Sequence, residues 1–453
     1  MAAATTGAGG KFSTTITIPT NLATGTYTLS AVSAAGRRAN ITLAVNRQVS
    51  TRYYFASFYT GRGYHEYLAF LNPSAIRASV TITYQLKNGT TRAKTISINP
   101  RSRFTEDVNA DLGVHVSAGA AIAADVPIAA ERVVYHGPDG AVVPGTSSPS
   151  TSWYFANGNS NKGYREYLAV LNPNTTPVQV RFRFFPAHRA PFTVVRSMAP
   201  TSRTTLKVNS FVKAAVGVRI TSTGPIVANR SIFIKHGMTS KIGVTSPKRT
   251  WYFAAGPRNG AARHWIGAIN PSNRWSYVTL RAFSRSGHQV ATVRGWLRPF
   301  ARPAYLINRI ARRTDVAVVL RASRPIVAEQ MTYIGRLHDA STDTFGVPTA
   351  AKSWAFAAAN TMAANREADA LELFNPNLVP VPIVVQFMTA AGALTERTYV
   401  VAPMSHRHVD VGSIQPNAQL GLMAASNYPF VALNQSFFNN RLGSMTSPGV
   451  HLP

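Results

Sequence analysis

The chain has no cysteine in its 453 residues, which rules out disulfides, thiolate metal ligands and cysteine nucleophiles. Negative charge is scarce: 17 Asp and Glu stand against 47 Lys and Arg, a formal net charge of +30. Charged residues of both signs make up only 14% of the chain, against roughly 25% in ordinary globular domains. No apolar run reaches the roughly 18 residues a membrane helix needs, and residues 1–10 lack the basic start and apolar stretch of a secretory signal. Insertion into a membrane is therefore not expected. Nucleophile elbows, His-Glu-x-x-His, calcium loops and phosphate-binding glycine loops are also missing from the sequence. The few acids form no repeated pair of glycosidase type. His406 and His408 share a strand face, but only Asp410 lies near as a further ligand. The sequence therefore carries no expectation of an enzyme, a metal or a cofactor.

What is present is apolar and repetitive. Aliphatic and aromatic residues make up 45% of the chain, and the length exceeds the roughly 250–300 residues at which single cores stop growing, so several folded domains are expected. The excess of Lys and Arg suggests a polyanionic partner. Its scatter through the chain, without basic blocks, disfavours nucleic acid.

Four aromatic openings recur at Tyr53-Tyr-Phe-Ala56, Trp153-Tyr-Phe-Ala156, Trp251-Tyr-Phe-Ala254 and Trp354-Ala-Phe-Ala357. Each is followed by Asn-Pro, at Asn72, Asn172, Asn270 and Asn375. A turn starting at Pro100, Pro200, Pro299 and Pro403 comes next, and then a Pro-Ile-Val-Ala type segment at Pro127, Pro225, Pro325 and Pro429. Between these anchors, runs such as Ala78–Tyr84, Val178–Phe184 and Tyr277–Phe283 alternate polar and apolar residues with many β-branched side chains, the pattern of half-buried strands. Asn88-Gly89 supplies a hairpin turn between two such runs. Each copy is thus read as a β-sandwich of six to eight short strands. The opening aromatic is read as a core anchor, Asn-Pro as a strand terminator, and the proline of the fourth anchor as a strand start or edge.

Residues 1–48 differ from the rest. Phe12–Ile18, Gly25–Ala31 and Asn40–Val45 read as three strands, similar to the C-terminal half of a bacterial immunoglobulin-like domain. The implied organisation is all-β: a partial immunoglobulin-like segment (1–48) followed by β-sandwich repeats at 49–149, 150–247, 248–351 and 352–453. The N-terminal piece looks unfinished and the array looks closed after Thr446-Ser-Pro448. Phe12, Ile16, Ile18, Tyr27 and Leu29 are the candidate assembly segment, through which a second copy could supply missing strands. The short linkers 145–149 and 243–247 suggest a semi-rigid rod.

The combined signature, Trp-Tyr-Phe-Ala, Glu-Tyr-Leu with Asn-Pro, Pro-x-Ser-Arg and Pro-Ile-Val-Ala-Glu-Arg, resembles an uncharacterised tandem repeat of secreted and surface proteins from actinobacteria and Chloroflexi. The resemblance covers about residues 50–453 and implies a place at the cell surface or beyond, with no activity to carry over. Glu66 and Glu166 give way to His264 and Asp369 in later copies, while Glu131 and Glu329 face Asn229 and Leu433. These acids are read as half-exposed partners of arginines such as Arg132 and Arg230, each worth little.

The third copy is rich in arginine and tryptophan. Arg309, Arg312, Arg313, Trp275 and Trp296 are the candidate residues for an anionic ligand, against a bland reading in which the tryptophans are core. The sequence thus favours a non-enzymatic extracellular structural or adhesive protein, such as a stalk, surface-layer or filament subunit, acting through self-association or a cell-surface polymer. The alternative is a module that binds an anionic polysaccharide or teichoic-type polymer within a larger secreted protein.

Overall fold

The computed structural model describes residues 25–32, 38–45, 50–256, 262–312, 315–335, 340–439 and 443–451. They fall into two units, divided after Gln48. The first contains an antiparallel hairpin of β1 (Gly25–Val32) and β2 (Arg38–Val45), with Gly25 opposite Val45. Tyr27 and Leu29 lie on β1. Phe12, Ile16 and Ile18 lie outside the described residues.

The second unit holds four similar curled antiparallel sheets in tandem. In the first repeat the strands are β3 (Ser50–Tyr59), β4 (Tyr64–Asn72), β5 (Ala78–Leu86), β6 (Thr91–Ile98), β7 (Ser102–Asp107), β8 (Ser117–His136) and β9 (Asp139–Pro144). A short helix, α1 (Val108–Leu112), is capped by the Asp107 side chain. The sheet order is β6-β5-β8-β4-β7, and β3 and β9 also pair with β8. The 20-residue β8 is the spine of the repeat. Its first half pairs with β3 and β5, its second with β4 and β9. Both halves face one core, in which Phe55, Phe70, Ile82 and Ile128 meet.

Alternation along β5 accounts for its place. Val80, Ile82 and Tyr84 point inward, while Ser79 is exposed and Thr81 and Thr83 are half-buried. Gly89 closes the β5–β6 turn at φ +85°, a conformation that suits glycine. Pro127 is neither at a strand start nor on an edge strand, as the sequence suggests, but in the middle of β8, between β5 and β4. The ladder with β5 ends at Ala124 and that with β4 begins at Ala129. A residue without an N–H sits at the corner where the strand changes partners.

The repeated anchors hold one another. Trp153 Nε1 donates to the carbonyl of Ile226 (2.8 Å), Trp251 Nε1 to Ile326 (3.0 Å) and Trp354 Nε1 to Phe430 (3.1 Å), and the Tyr53 hydroxyl does the same to Ile128 (2.7 Å). The first anchor is thus tied to the residue after the fourth anchor's proline in all four repeats. Asn72, Asn172, Asn270 and Asn375 are fully buried. Each donates to the carbonyl before the third anchor's proline, at 2.8–3.0 Å. The residue after that proline takes a left-handed conformation every time, at Arg101, Thr201, Phe300 and Met404. The Asn brace over-determines a turn that a non-glycine residue would otherwise avoid.

The repeats do not form a rod. Each packs on its predecessor, and the first packs on the fourth, so the second unit is a closed ring. Ala56 joins the second repeat's core, Tyr154 and Ala156 the third's, and Ala254 the fourth's. Ala69 and Leu71 cluster with Ala355 and Ala357, which completes the circuit. The counterparts of β9, namely Met238–Ile242, Ala340–Phe345 and Gly443–Ser447, meet β9 at the centre and line a small polar cavity there. Short linkers fit this arrangement as well as a rod, because the ring is closed by burial of apolar surface between repeats.

Candidate functional site

The polar chemistry of the described residues is concentrated where repeats meet. Arg103 Nε donates to the Ala357 carbonyl (3.0 Å), Arg203 Nε to Ala56 (3.2 Å) and Arg302 Nε to Ala156 (3.2 Å). Each is the arginine of the third anchor, and each grips the opening strand of the preceding repeat around the ring. In the fourth repeat His406 stands in that place, and its Nε2 donates to the Asp315 carbonyl (2.9 Å). A second grip comes from the fourth anchor. Glu131 accepts from the N–H groups of Ala357 (2.7 Å) and Ala358 (3.0 Å), and Glu329 from those of Ala156 (2.6 Å) and Asn157 (2.9 Å).

Glu66, Glu131, Glu329, Arg132 and Arg230 are therefore not half-exposed surface partners. All five are buried. Glu66 does pair with Arg132, which reaches it at 2.6 and 2.8 Å and also donates to Ser240 of the second repeat. Between the second and third repeats, Arg230 and Lys241 face Glu329 and Asp343, with Lys241 Nζ at 2.6 and 2.5 Å from the two carboxylates. Removing one member of such a buried cluster strands the others, at a cost of about 3–5 kcal/mol.

At the ring's centre one side chain ties all four repeats together. Asp139, fully buried, accepts from the N–H groups of Met238, Ser341 and Ser444, each at 2.9 Å. Burial pushes its carboxyl up to about 8, while these N–H groups and that of Gly140 pull it down. Burial likewise lifts Glu166 to about 7 against the attraction of Arg230. Asp343 is lifted to about 7 by burial and by repulsion from Glu329. Glu329 itself, although buried, is held below the usual range by Arg230 and Lys241.

These joints take up Glu66, Glu131, Asp139, Glu329 and Asp343, and burial also removes Glu106, Glu166, Asp369 and Glu372 from the surface. Nine of the 17 acids are thus inside. Five basic residues, Arg103, Arg132, Arg203, Arg230 and Lys241, are buried with them, so the outer surface is only slightly more basic than composition alone indicates.

The candidate ligand residues of the third repeat divide into two places. Trp275 (50% exposed) and Trp296 (62% exposed) are not core residues. Trp296 packs edge-on against Tyr277, with ring centroids 5.1 Å apart. Arg309 is exposed on the short helix Ile307–Ala311, and Arg312 is exposed at its left-handed C-cap. No cation–π contact or ion pair joins the two groups among the described residues, and Arg313 lies outside them. Sequence reasoning missed Asp139, Lys241, Asp343 and Glu372. Glu372 is buried and bonded to His408 Nδ1 at 2.6 Å. Alignment of the copies gives a signal for Asp139, since its counterparts Gly237, Ala340 and Gly443 carry no charge.

No protein-family model matches the chain. No curated protein matches it either. Among solved structures, part of the chain is similar to Thermotoga maritima 1070 (18% identity, TM-score 0.20, covering 21% of this chain and 94% of that one). Part of it is also similar to the Anabaena sensory rhodopsin transducer (18%, TM-score 0.16, covering 18% and 87%). A tetra-tandem repeat in the extending region of a large adhesion protein is weakly similar over 84% of this chain and 93% of its own (10%, TM-score 0.12).

Proposed function

We propose that the protein is a non-enzymatic structural or adhesive component of the cell exterior, a closed four-repeat ring that holds its outward sheet faces in fixed relation. The observation that carries this reading is where the ionisable side chains go. Asp139, Glu131, Glu329, Arg103, Arg203 and Arg302 hold one repeat to another, with their donors and acceptors engaged across the joints. Chemistry spent in this way secures shape. The basic outer surface suits an anionic cell-surface polymer.

Self-association through the N-terminal hairpin belongs to the same proposal. The described residues of this unit form a two-stranded hairpin, a size that is marginal in water without further pairing and suited to strand addition by another copy. Light scattering and negative-stain microscopy of the full chain and of a variant lacking residues 1–48 test this. Assemblies that disappear with the deletion support the role of the hairpin, and equal assembly by both removes it. A turnover activity that is lost on substituting an exposed residue, with the ring intact, would overturn the non-enzymatic reading.

A further inference from the structure

One outer face differs from its counterparts in a way the ring does not explain. In the third repeat, the strands Ser276–Phe283, Gln289–Leu297 and Ala317–Ile334 run side by side. Their register sets Tyr277 opposite Trp296, and Thr279 between Arg294 and Arg321. Arg281 follows two residues after Thr279 on the same side of the sheet. Tyr277, Arg281, Arg294, Trp296 and Arg321 are all exposed, while the alternating Val278, Leu280 and Ala282 are buried. From strand spacings, Arg294 and Arg321 stand roughly 10 Å apart across the sheet, and Arg281 is roughly 7 Å further along.

None of these three arginines makes an ion pair, a side-chain hydrogen bond or a cation–π contact among the described residues. The only acid on the three strands is Glu329, buried in the joint with the second repeat. The same face of the first repeat is made of Ser79, Thr81, Thr83 and Thr95. In the second repeat the face carries one exposed arginine, Arg181, flanked by Val195 and Thr221, while Arg183 is taken up by the rings of Phe185 and Phe300 at the joint. The first repeat folds with no arginine at these positions, so the fold of a repeat does not require them.

We infer that this face is a binding site for an anionic polysaccharide, a glycan chain carrying carboxylate or sulfate groups. The inference rests on the adhesive reading and gives it a ligand. Guanidinium forks match carboxylate and sulfate oxygens with paired hydrogen bonds. The exposed rings of Trp296 and Tyr277, with Trp275 one strand end away, offer an apolar surface on which a sugar ring can lie. A single-stranded nucleic acid would need aromatic platforms spaced along its path. Here the rings cluster at one end and the arginines follow, the order suited to a sugar chain with charges at intervals.

The test is binding of the full chain to immobilised polygalacturonate, dextran sulfate, neutral dextran and a short oligo(dT), by biolayer interferometry at fixed salt. Three proteins are compared: wild type, R281E/R294E/R321E, and a control with the same charge change, R309E/R312E/R313E. Circular dichroism confirms that each is folded. The face variant is expected to lose roughly tenfold to a hundredfold in affinity for an anionic polysaccharide, the sum of three exposed charge contacts. The control should stay near wild type, and neutral dextran should bind none of them. W296A, which leaves the charge unchanged, should weaken polysaccharide binding as a second readout. Equal loss in the control, unchanged binding by the face variant, or tighter binding of oligo(dT) than of either polyanion overturns the inference. So does failure of wild type to bind any anionic polysaccharide, even if the ring adheres to cells. Saturable binding lost in the face variant supports the site even if the chain fails to adhere to cells, which would sink only the adhesive reading.

Discussion

Replacing Asp139 by alanine removes the one side chain among the described residues that accepts hydrogen bonds from all three of the other repeats. The N–H groups of Met238, Ser341 and Ser444 then lose their acceptor in a fully buried place. Each orphaned N–H costs about 1–3 kcal/mol, so the substitution should destabilise the ring by about 4–6 kcal/mol, after allowance for a water entering the space left behind. D139N should recover part of the loss, because its one amide oxygen can accept from both Met238 and Ser341, which share Oδ2, leaving Ser444 facing the NH2. G237A should act in the same direction, since a Cβ there would come within 2.7 Å of Asp139 Oδ2. Urea unfolding followed by tryptophan fluorescence measures the loss, and small-angle scattering reports whether the four repeats stay together. A D139A protein within about 1 kcal/mol of wild type would refute the idea that the central carboxylate locks the ring, because even one orphaned buried N–H costs that much.

Further outcomes follow from the other joints and braces. Glu166 has its carboxyl pushed up to about 7 in the folded ring from an ordinary 4.5. The folded state therefore holds its proton more tightly, and the contribution present below pH 4.5 is lost as pH rises through 7, about 3 kcal/mol in all. E166Q should flatten this fall, and thermal melts across pH 4–8 with an unchanged slope would count against it. R230M strands Glu329 and Asp343 with Lys241 alone and should cost about 3–5 kcal/mol. The combined variant R230M/D343N should recover part of that, as read by chemical denaturation. N172A removes donors to the carbonyls of Thr176 and Ala199 and an acceptor for the Asn174 N–H, and should cost about 2–4 kcal/mol. The equivalent N270A change should cost a similar amount if the brace is the same in each repeat.

Much of the molecule was legible because its signals are local. The strand Ala78–Leu86 announces itself by alternation, and Asn88-Gly89 by the left-handed residue that a tight turn needs. The opening tryptophans were readable as core because a large apolar ring before an alternating run has few other places to go. The acids misled. Glu131 and Arg132 are adjacent in sequence and look like a surface pair, yet Glu131 bonds to Ala357 and Ala358, more than 200 residues away. The exposure of Trp275 and Trp296 was equally hidden. Trp275 precedes the strand whose Val278 and Leu280 turn inward, Trp296 lies on the strand beside it, and only the register decides which side meets water.

The sequence by itself determined that the chain is four copies of one antiparallel β unit, since turn residues, strand period and repeated anchors act over short distances within each copy. Tertiary structure alone decided that the copies close on themselves instead of extending. Closure depends on apolar faces and backbone groups meeting across repeats, as when Asp139 collects N–H groups from three of them. No local pattern encodes such a meeting, because each partner looks complete within its own repeat.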